Sequence, residues 1–219
     1  MSGEAKCRAF IDLPGKQQEL ADSLIATGKP VVFIVMSGRP LTITNLVNDA
    51  KTILWTFHPG TMGGDAILDV ITGNYNPSGK LAVSFPMTVG QIPLYYNHKN
   101  TGRPAPVTYI SDNSEMGTPV NPQNFNSKYI DIPNSPLFPF GFGLSYTKFD
   151  YSGLKLSSSV MTLKKGLSVS VIVKNTGAYD GEEVVQLYVK DITASVTRPV
   201  LELKAFKKIM IKKNESVNV

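Results

Sequence analysis

The sequence predicts an α/β fold, a mostly parallel sheet covered by helices, followed by an incomplete antiparallel β-sandwich. Two observations carry that reading. Up to Phe85, short apolar runs alternate with segments of helical spacing, whereas from Tyr151 onward apolar and polar residues alternate one by one. The first pattern builds a parallel sheet with crossover helices and the second builds antiparallel strands with one wet face.

Each element follows in order. Lys16 to Ala26 places Leu20, Leu24 and Ile25 on one helical face, and Gly28-Lys-Pro30 stops it. Val31 to Met36 is a continuous run rich in β-branched residues, expected as a strand buried on both faces. Ile43, Leu46 and Val47 return to helical spacing, Lys51 to Phe57 gives a second strand, and Ala66 to Ile71 a further helix behind Gly60, Gly63 and Gly64. Leu81 to Phe85 reads as a third strand. This alternation predicts a flavodoxin-like α/β sandwich. No strand precedes Lys16, so the sheet is expected to lack its opening strands. Leu167 to Val173 then alternates apolar and polar, Asn175-Thr-Gly177 signals a turn, Glu183 to Lys190 forms another strand, and Leu201 to Ile211 adds one or two more. The expected division is residues 1–149 for the α/β domain with its long connecting segment, and 150–219 for the sandwich.

The chain has 219 residues, 42% hydrophobic and 18% charged, which excludes wholesale disorder and allows a substantial core. The longest apolar run, Pro30 to Met36, is too short to span a bilayer, so no membrane partner is expected. Glu4, Lys6, Arg8 and Asp12 break up any leader-like stretch near the N-terminus. Cys7 is the single cysteine, which excludes an intrachain disulfide and a cysteine-based metal centre. The net charge of +5 is concentrated in Lys204, Lys207, Lys208, Lys212 and Lys213, interleaved with Leu203, Phe206, Ile209 and Ile211. That pattern is one solvated face of a strand, so no nucleic-acid partner is expected. His58 and His98 lie forty residues apart without metal-ligand spacing or a Gly-x-Ser-x-Gly elbow, so neither a metal site nor a Ser-His-Asp hydrolase is expected. No cofactor is implied. Trp55 could stack on a sugar, but inside the apolar run Ile53 to Phe57 it is expected in the core. The glycine-rich loop His58 to Gly64 lacks phosphate-binding spacing and is expected to be a tight turn.

Three fragments carry a family resemblance: Asn76-Pro-Ser-Gly-Lys-Leu-Ala-Val-Ser-Phe-Pro86, Gly90-Gln-Ile-Pro-Leu-Tyr-Tyr96, and Pro136-Leu-Phe-Pro-Phe-Gly-Phe-Gly-Leu-Ser-Tyr-Thr-Lys-Phe149. In this order they resemble the C-terminal half of a glycoside hydrolase family 3 β-glucosidase. Val173-Lys-Asn-Thr-Gly177, Gln186-Leu-Tyr-Val189 and Arg198-Pro199 resemble the family's fibronectin type III-like domain. The resemblance implies a retaining, exo-acting β-glucosidase or β-xylosidase whose parent is periplasmic or secreted. It also implies that this chain is truncated at both ends and lacks the (β/α)₈ barrel that holds the nucleophilic aspartate.

The same resemblance singles out Glu4. Ser2-Gly-Glu4, followed four residues later by Arg8, is similar to the family's acid/base loop. In a retaining hydrolase one carboxylate attacks the anomeric carbon while a second, about 5–5.5 Å away, protonates the leaving oxygen and later activates water. Glu4 is the candidate for the second role, with a glutamate elsewhere as the alternative and an exposed terminal glutamate as the plain reading. Arg8 could orient Glu4 through a charge-assisted hydrogen bond. Arg39, in Ser37-Gly-Arg-Pro40 after the first strand, could support the loop or the substrate side, and His98 could flank the cleft. For the two arginines, ordinary packing and ion pairing is the competing reading. The carbohydrate would bind through the parent's barrel, the isolated chain is expected to be inactive, and exposed strand edges are expected to make it a homo-oligomer. A non-catalytic structural module is the alternative function, and a flavin or nucleotide binder ranks behind both.

Overall fold

The computed structural model describes residues 5–106, 115–119, 125–162 and 164–219. They form two compact units that interleave along the chain. One runs through Thr61 and takes in Ala82–Phe140 and Lys190–Glu202; the other comprises Met62–Leu81, Gly141–Val189 and Leu203–Val219.

In the first unit, helix α1 (Gln17–Ala26) ends where Gly28 adopts φ 69, a left-handed conformation that favours glycine. Strands β1 (Phe33–Val35) and β2 (Ile53–Trp55) pair in parallel with Val35 opposite Trp55, and α2 (Thr44–Asp49) lies between them in sequence. Ala21 of α1, Leu46 of α2, Ile43 and Val35 form the buried core, with Phe33 and Trp55 packed against it. Both helices therefore cover the face of β1 that carries Phe33 and Val35. The expectation that β1 is buried on both faces is not met: Ile34 is 39% exposed and Met36 64%. Among the described residues the second face carries apolar side chains but no helix of this unit.

Two further expectations change. Leu81 to Phe85 is not a strand; Phe85 makes an isolated antiparallel bridge to Phe138, with Phe85 N donating to the Phe138 carbonyl at 2.8 Å. Pro136 lacks the backbone donor that the next hydrogen-bonded pair on one side, residues 87 and 136, would need. Phe85 is 1% exposed and packs edge-on against Trp55 at 4.6 Å between ring centroids. Trp55 thus serves the core, and its buried indole N–H has no hydrogen-bond partner among the described residues.

The second unit contains α3 (Gly63–Thr72), closed by Gly73 at φ 80, and most of the β structure. Strand β3 (Phe149–Leu156) pairs antiparallel with β4 (Val169–Asn175), which pairs antiparallel with β7 (Ser216–Asn218). Strands β5 (Gly181–Val189) and β6 (Glu202–Ile211) form a separate two-stranded sheet, so Leu201 to Ile211 supplies one strand.

The Asn76–Lys80 motif is fastened to β5 by polar contacts. Asn76 Nδ2 donates to the Asp180 carbonyl at 2.9 Å, and its Oδ1 accepts from Ser145 Oγ and Tyr146 N, each at 2.8 Å. Ser78 Oγ donates to Glu182 at 3.2 Å, joined there by Tyr75 OH at 2.8 Å and Lys208 Nζ at 2.6 Å. Those hydrogen bonds, from Lys208 first and then Tyr75, hold the Glu182 carboxyl below its ordinary range. Lys80 Nζ sits 3.1 Å from Glu183 and donates to the Gly143 carbonyl at 3.0 Å. The Lys80 and Glu183 side chains are only 16% and 12% exposed, so this is a buried pair rather than a surface one. Tyr151 OH donates to Glu183 at 2.9 Å. Burial first, then the bond to and charge of Glu183, push the Tyr151 phenol above its ordinary range. A Cβ on Gly143 would fall on the Gly79 carbonyl, which explains glycine there.

Candidate functional site

At the C-terminal end of β1 the chain turns through Ser37-Gly-Arg-Pro40. The Ser37 hydroxyl donates to the Arg39 carbonyl at 2.8 Å and fixes the turn. A Cβ on Gly38 would strike the imidazole of His58, in the loop after β2, so glycine lets the two strand-end loops close on each other. Half-buried Arg39 then reaches back across the sheet end. Its Nη2 donates to the Arg8 carbonyl at 2.7 Å and its Nη1 to Cys7 Sγ at 3.1 Å. A planar fork with fixed donor directions suits two acceptors held side by side.

The same segment is tied a second time. Thr42 N donates to the Ile11 carbonyl at 3.0 Å, the Thr42 hydroxyl donates to the Asp12 carboxylate, and Asp12 and Thr42 form a parallel bridge. Ile11 is buried. Residues 7–12 therefore run beside residues 39–42, fixed near both ends.

Glu4 lies outside the described residues. Arg8 and Arg39 come together, but through the Arg8 backbone carbonyl; the exposed Arg8 guanidinium has no partner among the described residues. His98 makes its contacts elsewhere: its Nδ1 lies 3.1 Å from the Tyr95 carbonyl, and its own carbonyl accepts from Val200 N at 2.9 Å. The sequence reading missed Cys7, Asp12 and Thr42 as members of this fastening. Only Gly38 beside Arg39 hinted that another loop had to come close. Among the described residues no group of histidines, cysteines and carboxylates could hold a metal ion.

Residues 1–146 match the family model for the glycosyl hydrolase family 3 C-terminal domain. The chain belongs to glycoside hydrolase family 3. Residues 183–219 match the fibronectin type III-like domain that accompanies it. A periplasmic β-glucosidase of Salmonella typhimurium is 47% identical over 219 residues, covering 100% of this chain and 27% of the relative. A β-xylosidase of Formosa agariphila is 42% identical over 217 residues, covering 99% of this chain and 27% of that protein. Among solved structures, a β-glucosidase of Listeria innocua in complex with isofagomine superposes with a TM-score of 0.85 at 42% identity, over 99% of this chain and 29% of its own. The chain thus spans little more than a quarter of the length of these family 3 relatives, and within it the Asn76–Lys80 motif fastens to β5 through Glu182 and Glu183.

Proposed function

We propose that this chain serves as the C-terminal part of a retaining, exo-acting β-glucosidase or β-xylosidase that releases terminal β-linked sugars. The observation that carries this reading is similarity along the whole chain to relatives named for those two activities. In this reading Glu4 is the general acid/base and the nucleophile belongs to a separate barrel that also binds the sugar. The nucleophilic carboxylate attacks the anomeric carbon while Glu4 gives its proton to the departing oxygen. Glu4 then takes a proton from water as that water's oxygen displaces the enzyme carboxylate and frees the sugar. Arg8 and Arg39 support the loop, and His98 flanks the cleft. The α/β part, residues 1–149, takes a flavodoxin-like arrangement, and residues 150–219 belong to the fibronectin type III-like part. Alone, the chain is inactive and self-associates, the latter supported by exposed Leu154, Phe206 and Met210.

The test is a chimera in which this chain replaces the matching segment of the Salmonella enzyme. Glu4→Ala should slow aryl β-glucosides with poor leaving groups far more than those with good ones, and azide should rescue the latter. Equal losses without rescue would move the acid/base role to another carboxylate. The 219-residue chain by itself should show no hydrolysis of p-nitrophenyl β-glucoside above background, and its light scattering should rise more steeply with concentration than a monomer's.

A further inference from the structure

We propose that the outward face of β6, with the turn that follows it, binds an acidic glycan, a β-linked chain with uronic acid carboxylates on occasional sugars. The choice of a glycan rests on the function read above. The expectation that this stretch keeps its lysines on one wet face and its apolar residues on the other is only half met. Alternate residues of a strand face opposite sides. Leu203, Ile209 and buried Ile211 share one side, and Lys207 falls there too. Phe206 and Met210 stand on the other side with Lys204 and Lys208, and they are 71% and 58% exposed. Lys208 Nζ and Tyr75 OH both reach the same Glu182 oxygen, at 2.6 and 2.8 Å, which sets a half-exposed phenol ring beside the strip. The turn after β6 is fixed in turn: Lys213 N donates to the Asp180 carboxylate at 2.7 Å and Asn214 N to the Asn175 carbonyl at 3.1 Å. Lys212 and Lys213, both exposed, are therefore carried on a held backbone, and little ordering is needed on binding.

Charge decides between occupants. Residues 203–215 hold five lysines against one acidic residue, Glu215, and Glu182 and Asp180 offset only part of that excess. A neutral glycan leaves the charge unanswered. A uronic acid answers it, while the C–H faces of neighbouring sugars pack on Phe206 and Tyr75. Lys204 and Lys208 are four positions apart, about 13 Å along an extended strand. That interval suits carboxylates on separated sugars, whereas a nucleic-acid strand carries a phosphate at about every 3.4 Å.

The experiment titrates four probes into the 219-residue chain and into the chimera, below the concentration at which light scattering shows self-association. They are glucuronoxylan oligosaccharides, the same oligosaccharides with their carboxyls reduced, a single-stranded DNA oligonucleotide and phosphatidylglycerol vesicles. The variants are Phe206→Ala and the pair Lys212→Gln with Lys213→Gln, each checked by its circular dichroism melt. The acidic oligosaccharides should bind at least about tenfold tighter than the reduced ones at low salt. The double lysine variant should lose about five- to tenfold and show a flatter salt dependence. Phe206→Ala should lose about three- to tenfold at every salt concentration. Equal affinity for the reduced oligosaccharides, tighter binding of DNA or vesicles, or indifference to Phe206→Ala would overturn the inference. So would binding by the chain that is absent from the chimera. Hydrolysis of aryl β-glucosides by the chimera without glycan binding sinks this inference alone, and binding without hydrolysis sinks the reading of function alone.

Discussion

Asn175 closes the second unit, and replacing it should be among the most damaging single changes. Its side chain is fully buried and uses its whole hydrogen-bonding capacity. Oδ1 accepts from the Thr147 hydroxyl at 2.6 Å and Gly177 N at 3.1 Å, while Nδ2 donates to the Tyr179 carbonyl at 2.8 Å and the Ile211 carbonyl at 3.0 Å. One amide thus joins the end of β4, the turn after it, the end of β6 and the Thr147 segment. Asn175→Ala strands two partners on buried residues, Thr147 and Ile211, at about 1–3 kcal/mol each. The other two partners are part-buried and can take water, so they lose only about 0.5–1.5 kcal/mol each. Water entering the space left by the amide recovers part of the sum, which leaves about 4 kcal/mol. In urea, with a slope of about 2 kcal/mol/M, the midpoint should fall by about 2 M. Far-UV circular dichroism reads the strands, and Trp55, the only tryptophan, reports separately on the first unit. Asn175→Asp should be no better, because it keeps the oxygen that accepts two bonds but turns a second oxygen toward two carbonyls. A loss below about 1.5 kcal/mol for alanine, or ready tolerance of aspartate, would refute the reasoning, since one ordinary hydrogen bond alone contributes that much.

Lys80→Met should destabilise by about 3–5 kcal/mol because it leaves Glu183 charged and poorly exposed, and adding Glu183→Leu should recover most of the loss; urea midpoints of the three variants check this. Tyr151 should keep its proton in the folded chain well above the ordinary phenol value of 10.0, while the unfolded chain ionises there. Its stabilising contribution is therefore full below pH 10 and fades as pH rises beyond it, so wild type should lose stability more steeply than Tyr151→Phe on the alkaline side. Parallel curves for the two proteins in that range would mean that burial and Glu183 do not raise the Tyr151 phenol in the folded chain.

What could be read from the sequence was decided by the distance over which each residue type acts. The alternation of Val169, Val171 and Val173 is a local signal, and β4 lies where it points. Strand β3 gives no such signal, because seven of its eight residues are exposed and Gly153 interrupts it; its pairing with β4 defines it, not its own pattern. The apolar run at Leu81 to Phe85 misled for the converse reason, since burial of Phe85 against Trp55 and Phe138 needs apolar side chains but no ladder. Asn175-Thr-Gly177 was read as a turn, and Gly177 N does bond back to Asn175 at 3.1 Å. Its tie to the Ile211 carbonyl, 36 positions away, had no local trace.

The candidate site is the extreme case. Arg39 donates to the carbonyl of residue 8, and every residue carries a carbonyl, so no side-chain type at that position could announce the contact. Only the donor end was visible, as an arginine behind a glycine at the end of a strand. A donor visible without its acceptor looks like a ligand-binding arginine. That ambiguity is physical: the planar fork that recognises a sugar hydroxyl or a carboxylate recognises a backbone carbonyl equally well. The distinction between the two uses lies in which acceptor lies within reach once the chain is folded, and here that acceptor belongs to the segment that follows Glu4.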